Sequence, residues 1–158
     1  MADALLNGRP ILNWRDQART VASLCFQIHY ATLKLNSDFA TRLDPLGRRR
    51  VRVDDILDLA FLHTHGKTVE RTVMTNNEER YLQSQTAFLL DLKLWNANVL
   101  RLIGMYKESA KHVAQRADPN SLKIHDALVN ISQLVKRLVD FLDAAGNRTS
   151  TILVNKLI

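Results

Sequence analysis

Residues that break regular structure are scarce in this sequence, which has 5 glycines and 3 prolines among 158 residues. Few tight turns are available, so the composition favours a small number of long elements. The apolar fraction, 46%, is close to that of ordinary globular proteins and argues against global disorder. We therefore expect one domain, residues 1–158, with a substantial core.

Disulfides, an apolar leader and long apolar runs are also missing. The single cysteine, Cys25, excludes an internal disulfide and favours a reducing compartment. Residues 1–10 lack the apolar core of a signal peptide, and no uncharged apolar run reaches the roughly 18 residues of a membrane span. We expect no membrane association and a location in the cytoplasm, or within a virion or other intracellular assembly.

Helical periodicity dominates what is present. Apolar residues recur at alternating steps of four and three, the spacing that places side chains on one stripe of an α-helix. The predicted helices span 12–39, 54–75, 78–116 and 120–145, and an apolar tail follows at 146–158. Four such helices with short connections predict an all-α fold, an antiparallel four-helix bundle with one very long central helix and a basic interhelical loop.

The predicted central helix, 78–116, has the most regular pattern. Its main row is Tyr81, Gln85, Phe88, Leu92, Trp95, Val99, Leu102, Tyr106, Ser109 and Val113. Leu90, Leu94 and Leu100 extend the apolar surface, so we expect this helix to be covered on several sides, in part by another chain. We interpret the polar residues Gln85 and Asn96 as determinants of register or assembly, with a ligand-binding role as the alternative.

Small and polar residues mark the predicted helix ends. The predicted caps are Asn13, Asp54 or Asp55, Asn76 and Gly146. Gly66 lies in the middle of the second predicted helix, where it indicates either a close approach of a neighbouring helix or an interruption. We favour one kinked helix.

A loop rich in arginine is the clearest charged feature, in a chain of net charge +6. Its arginines are Arg42, Arg48, Arg49, Arg50 and Arg52. The guanidinium fork binds phosphate through paired, charge-assisted hydrogen bonds, and the loop has no aromatic side chain to stack on bases. We predict contact with a nucleic-acid backbone. Asp54, Asp55 and Asp58 follow at once, and they are the alternative partners of these arginines.

The end of the chain is apolar, and we predict that it forms an oligomer interface. The interface residues are Ile152, Leu153, Val154, Leu157 and Ile158.

No pattern predicts catalysis, a metal site or a cofactor. Gly-rich phosphate loops, a GxSxG elbow, an HExxH helix and the Glu-x-x-His pairs of di-iron bundles are missing. Residues 54–58 match the short DDxxD pattern of isoprenoid synthases without their second acidic motif, so helix capping is the better explanation. Cys25 lies in an apolar row and is expected to be a buried structural thiol.

Residues 63–67, His-Thr-His-Gly-Lys, resemble the site of histidine-phosphotransfer bundles, which place an exposed histidine near a lysine and a glycine. In those bundles Lys precedes Gly after the histidine, whereas here Gly66 precedes Lys67.

We predict a non-enzymatic helical subunit of a larger assembly, such as a ribonucleoprotein component, that contacts RNA or DNA through the arginine loop. The alternatives are a protein–protein adaptor or structural oligomer without nucleic acid, and a histidine-phosphotransfer-like bundle. We expect a homo-oligomer or a subunit of a hetero-complex.

Overall fold

The computed structural model describes residues 5–6, 9–10, 13–39, 57–111 and 120–157; of residues 5–6, 9–10, 109–111 and 145–157 it describes the backbone alone. Within these ranges the chain forms four helices: α1 (Trp14–Phe39), α2 (Phe61–Met74), α3 (Glu78–Lys111) and α4 (Ser121–Leu157). Two strands of two residues each, β1 (Leu5–Leu6) and β2 (Arg9–Pro10), pair antiparallel before α1. The predicted all-α class with four helices is confirmed.

Helix α1 begins where the sequence predicts. The side-chain oxygen of Asn13 accepts a hydrogen bond from the backbone amide of Asp16 at 2.9 Å, which pairs an amide that the helix itself leaves free. The buried row of α1 includes Ala18, Val21, Cys25, Ile28, Thr32 and Leu35. Thr32 is the polar member of this row, and its hydroxyl group donates to the Ile28 carbonyl at 2.7 Å, so it is paired inside the core.

Helix α2 begins later than predicted, at Phe61 instead of residue 54. The carboxylate of Asp58 accepts a hydrogen bond from the amide two residues later at 3.0 Å, and this local turn leads into the helix. The indole N–H of Trp95 donates to the Asp58 carbonyl at 3.2 Å and holds the turn against α3. A side chain that competes for backbone amides delays the helix start, an effect that apolar spacing does not reveal.

Helix α2 continues through Gly66, which is buried. A Cβ at this position would lie 2.7 Å from Cε1 and 2.9 Å from Cζ of Phe26 on α1. Close approach of a neighbouring helix, one of the two explanations for this glycine, is therefore what the structure shows.

The N-cap of α3 lies one residue later than predicted. Asn76 has φ of 52°, in the left-handed region that asparagine tolerates better than most residues. The side-chain oxygen of Asn77 accepts a hydrogen bond from the Arg80 amide at 3.0 Å, so Asn77 is the N-cap and the prediction of Asn76 is wrong. A residue in the left-handed conformation does not have the extended backbone that a capping side chain requires.

Helix α4 does not end at Gly146. It has 37 residues and exceeds α3, which has 34, so the described residues contain two long helices instead of one. A mid-helix glycine costs about 1 kcal/mol relative to alanine, and no proline follows to stop the helix. The residues predicted as a separate tail after residue 145 therefore have helical backbone as far as Leu157.

The core lies between the inward rows of the helices. On α3 this row is Tyr81, Phe88, Leu92, Trp95, Val99, Leu102 and Tyr106, and on α4 it is Ile124, Leu128, Ile131, Val135, Leu138 and Leu142. Both rows match the predicted spacing. Helix α3 packs mainly against α4, and α1 packs against α2 and α4, whereas the contacts of α3 with α2 and α1 are smaller. One side of α3 is therefore left without a helical neighbour among the described residues.

Candidate interaction surface

A second row of residues runs along α3 opposite the buried one. Its members, all exposed, are Ala87, Leu90, Leu94, Ala97, Arg101, Gly104 and Glu108. The steps between them alternate three and four, so they share one stripe of the helix, and at 100° per residue this stripe lies on the far side from Leu92 and Val99. We call these seven residues the outer α3 face.

Large apolar side chains dominate the middle of this face and its borders. Leu90 is 63% exposed and Leu94 is 62% exposed, and Leu100 and Met105 at the borders are 53% and 40% exposed. Scattered exposed leucines are common on proteins, but apolar residues concentrated on one helix face mark sites of contact. The described residues leave Leu90, Leu94 and Leu100 exposed, because α3 has few helical neighbours on that side, and cover of this side by another chain stays a prediction.

Gly104 is a second unusual feature of the outer α3 face. A Cβ built at this position meets no atom within 4 Å, so nothing in the described fold requires a glycine there. Glycine costs about 1 kcal/mol relative to alanine inside a helix. Gly104, Ala87 and Ala97 leave parts of the face without a large side chain. Small residues of this kind allow the backbone of a second helix to approach closely.

Charged side chains are sparse on this surface. Arg101 and Glu108 lie within the face, and Asp91 and Lys93 lie on opposite borders of it. The side chains of Arg101, Asp91 and Lys93 have no hydrogen bond or ion pair within the described residues. They are therefore available to a partner, and their positions restrict how a partner helix is oriented.

A groove of 370 Å³ between α2 and α3 contains the most perturbed histidine of the described fold. The His65 ring stacks on Phe88 with centroids 3.5 Å apart and ring planes 5° from parallel. Burial lowers the pKa of His65 to about 4, because the charged ring is poorly solvated there, and Gln85 acts on this pKa in the opposite direction. His65 is neutral at pH 7.

Two polar atoms are buried without a hydrogen-bond partner among the described residues: Nε2 of His65, which lines this groove, and Oε1 of Gln85. The amide group of Gln85 is otherwise occupied, since its nitrogen donates to Ser84 Oγ at 3.0 Å and to the Tyr81 carbonyl at 3.3 Å. Oδ1 of Asn96 is likewise buried and without a partner. The two amides singled out by the sequence therefore lie at the edge of the core.

The other histidine of the phosphotransfer-like sequence, His63, is exposed. Its ring centroid lies 5.0 Å from that of His29, whose Nδ1 is 3.0 Å from the Leu59 carbonyl oxygen. A phosphoryl acceptor must reach solvent, and of the two histidines in the phosphotransfer-like sequence, His63 and His65, only His63 is exposed. Within the described residues, no group of three or more His, Cys, Asp or Glu side chains is placed to hold a metal ion.

Cys25 is buried in α1, as expected. Burial raises the pKa of its thiol to about 12, so the reactive thiolate is not populated near neutral pH. The thiol therefore serves core packing.

Two predicted sites fall wholly or partly outside the described residues. The loop with Arg42, Arg48, Arg49, Arg50 and Arg52 lies outside them, together with the predicted caps Asp54 and Asp55. Of the predicted oligomer interface, Ile152, Leu153, Val154 and Leu157 have helical backbone in α4, whereas their side chains and Ile158 lie outside the described part of the chain.

Comparisons with protein-family models, with curated proteins and with solved structures find no match for this chain. None of the helices in the described part of the chain has both the length and the hydropathy that a membrane span requires. The sequence predicts that another chain covers part of this helix, but it does not single out the outer α3 face, because small residues and an arginine interrupt its apolar heptad pattern. Counting steps of three and four on the side opposite the core row would have found it.

Proposed function

We propose that this protein is a non-enzymatic helical subunit of a larger assembly, and that it binds its partner through the outer α3 face. The observation that carries this proposal is the exposure of Leu90 and Leu94, 63% and 62%, on one continuous helix face. Helices with such faces commonly associate with another helix or enter an apolar groove. The partner covers a surface that the chain itself leaves open.

The energetics of such a contact favour association. Burying a leucine side chain completely is worth about 1.5–3 kcal/mol, so covering the exposed fractions of Leu90 and Leu94 contributes roughly 1–2 kcal/mol each. The small residues Ala97 and Gly104 allow the backbone of the partner to lie close to that of α3, which adds dispersion contacts. Part of this gain is lost to the entropy of association, so we expect a moderate affinity.

We also propose that neighbouring helices of the bundle run antiparallel. The ring of Phe61, at the start of α2, stacks with Trp95 at a centroid distance of 6.4 Å. Further along α2, His65 stacks with Phe88, which precedes Trp95 on α3. Contacts that advance along α2 and move back along α3 support opposite directions for these two helices. The contact of Trp14 with Tyr81, centroids 5.7 Å apart, supports a shared end for the starts of α1 and α3.

A second proposed activity is contact with the backbone of nucleic acid through the arginine loop, Arg42 to Arg52. Its support is the local charge in the sequence and the net charge of +6. Of the acidic residues that follow the loop, Asp58 uses one carboxylate oxygen to accept the hydrogen bond of a backbone amide. The carboxylate keeps its negative charge, but one of its two oxygens is occupied by this bond.

Sizing of the tagged chain in extracts of its own cells tests the assembly. The wild-type chain is expected to elute well above the size of a monomer, and the Leu90→Gln/Leu94→Gln variant close to it. Leu122→Gln is the matched control, since Leu122 is an exposed leucine of α4, 58% accessible, away from the outer α3 face. Equal elution of wild type and the double variant would show that this face does not build the assembly.

Salt-dependent binding of labelled RNA and DNA tests the second activity. We expect Arg48→Ala/Arg49→Ala/Arg50→Ala to weaken binding and to reduce the slope of log affinity against log salt by about 2–3, at roughly 0.7–0.9 per phosphate contact. Arg71→Ala/Lys107→Ala/Arg137→Ala removes the same charge from exposed helix positions. Unchanged binding of the loop variant, or an equal loss in both variants, would remove the loop assignment. Absence of binding by the wild-type chain would leave the adaptor without nucleic acid.

A further inference from the structure

The partner of the outer α3 face can be identified from the pattern of the face itself. At steps of three and four, the seven residues occupy the two core positions of a heptad repeat, the pattern by which one helix packs along another. Ala87, Leu94, Arg101 and Glu108 occupy one of these positions, and Leu90, Ala97 and Gly104 occupy the other. We infer that this face binds the same face of a second copy of the chain, with the two α3 helices antiparallel; this inference rests on the proposed function.

Size complementarity fixes the register. In an antiparallel pair the first heptad core position of one helix lies opposite the second of its partner. The register that places Leu94 opposite Ala97 also places Ala87 opposite Gly104, and Leu90 opposite Arg101. Each pairing occurs twice around the two-fold axis. At the centre a large residue therefore meets a small one, and small residues meet near both ends, where the helices approach closely.

Charge complementarity supports the same arrangement. Arg101 and Asp91 lie toward the same border of α3, so in this register the guanidinium group of one copy reaches the carboxylate beside Leu90 of the other. Both side chains lack a partner within the described part of the chain. On the opposite border, Lys93 lies across from Leu100, which its aliphatic stem covers. No two like charges face each other.

The parallel alternative is disfavoured by the same residues. With two α3 helices parallel and in register, Arg101 lies opposite Arg101 and Glu108 lies opposite Glu108 in the core of the contact. Gly104 then lies opposite Gly104, which leaves a gap beside the repelling pair. Like charges in these positions oppose association.

The contact is short. From Ala87 to Gly104 the face spans about 25 Å of helix at 1.5 Å per residue, about five turns. An interface of this length is at the small end of specific protein contacts, and we expect dissociation constants on the order of 1–100 µM. The test therefore uses purified full-length protein at about 200 µM.

Disulfide cross-linking of two single-cysteine additions distinguishes the arrangements. The variants are Ala87→Cys and Gly104→Cys, both at exposed positions; Cys25 stays in place because it is buried. In the antiparallel register Cys at 87 lies opposite Cys at 104 of the other copy, whereas two copies of one variant hold their added thiols about 25 Å apart. Under mild oxidation, mixing the two variants is expected to give disulfide-linked dimers, and each variant alone is expected to give none.

Three outcomes would overturn the inference. Cross-linking of Ala87→Cys with itself would indicate parallel helices. A cross-link in the mixture that survives Leu94→Glu in both chains would show that the face is not the contact; Leu122→Glu is the matched control and should leave cross-linking unchanged. A monomer by sedimentation up to about 200 µM, with no cross-link in the mixture, would exclude the second copy. If extract sizing still depended on Leu90 and Leu94, the proposed function would stand with a different partner.

Discussion

Gly66 and Gly104 are two mid-helix glycines with opposite surroundings, and they predict opposite effects of the same substitution. A Cβ at Gly66 would lie 2.7 Å from Phe26 Cε1, closer than carbon atoms approach without repulsion. A Cβ at Gly104 would meet nothing within 4 Å. Both positions gain helix propensity from alanine, so the difference between the two variants isolates the packing of α2 on α1.

The magnitude follows from two opposing contributions. Alanine in place of glycine stabilises a helix interior by about 0.5–1 kcal/mol. Overpacking of a filled site costs about 1–3 kcal/mol, and the half-buried Phe26 ring must move to relieve the contact. We therefore expect Gly104→Ala to raise the free energy of unfolding by about 0.5–1 kcal/mol. We expect Gly66→Ala to lower it by about 1–2 kcal/mol.

Urea denaturation followed by circular dichroism measures both values, at low protein concentration so that association does not contribute. Phe26→Leu removes the ring atoms that meet the added Cβ, so in that background Gly66→Ala should be neutral or stabilising. The close approach of α1 and α2 would be refuted if Gly66→Ala stabilised the wild-type chain as much as Gly104→Ala does.

Three further predictions concern the outer face, the core and the buried histidine. Leu94→Gln should change the free energy of unfolding by less than about 0.5 kcal/mol, because this leucine is 62% exposed. Leu92→Ala, two residues away and fully buried, should lower the free energy of unfolding by about 2–5 kcal/mol. Urea denaturation measures both variants, and similar values for the two would contradict the assignment of Leu92 to the core and Leu94 to the surface. The pKa of His65 lies near 4 in the folded protein against an ordinary 6.5, so the fold favours the neutral ring. This contribution is complete above pH 6.5 and is lost as the pH falls through 4. It amounts to about 3.5 kcal/mol, at roughly 1.4 kcal/mol per pH unit. His65→Phe should remove this part of the pH dependence, as measured by urea midpoints between pH 4 and 7, and an unchanged slope would contradict the burial of the ring.

The inward rows of α1, α3 and α4 could be read from the sequence, because burial on one side of a long helix imposes a strict spacing. The Asn13 cap was also predictable, since its partner amide is three residues away along the chain. The start of α2 was not, because Asp58 competes for a backbone amide and Trp95, distant in sequence, holds the turn. The end of α4 was missed because glycine alone costs too little to stop a helix.

The candidate site was only half predictable. The sequence shows that Leu90 and Leu94 are apolar, but their exposure depends on which helices flank α3. That arrangement is set by tertiary packing and not by local pattern. The predicted arginine site rests on local charge alone, and it stays a prediction.

The central claim is that contact with a partner covers the outer α3 face, and thiol accessibility at its midpoint tests this most directly. Ala97→Cys adds a small thiol at the centre of the face, and Ala144→Cys adds one at an exposed position of α4. The measurement is the rate of maleimide labelling in the assembled protein and in the dilute monomer. We expect labelling at position 97 to slow at least about tenfold on assembly, equivalent to about 1.4 kcal/mol of protection, with no change at position 144. Equal labelling rates at position 97 in both states would contradict the account.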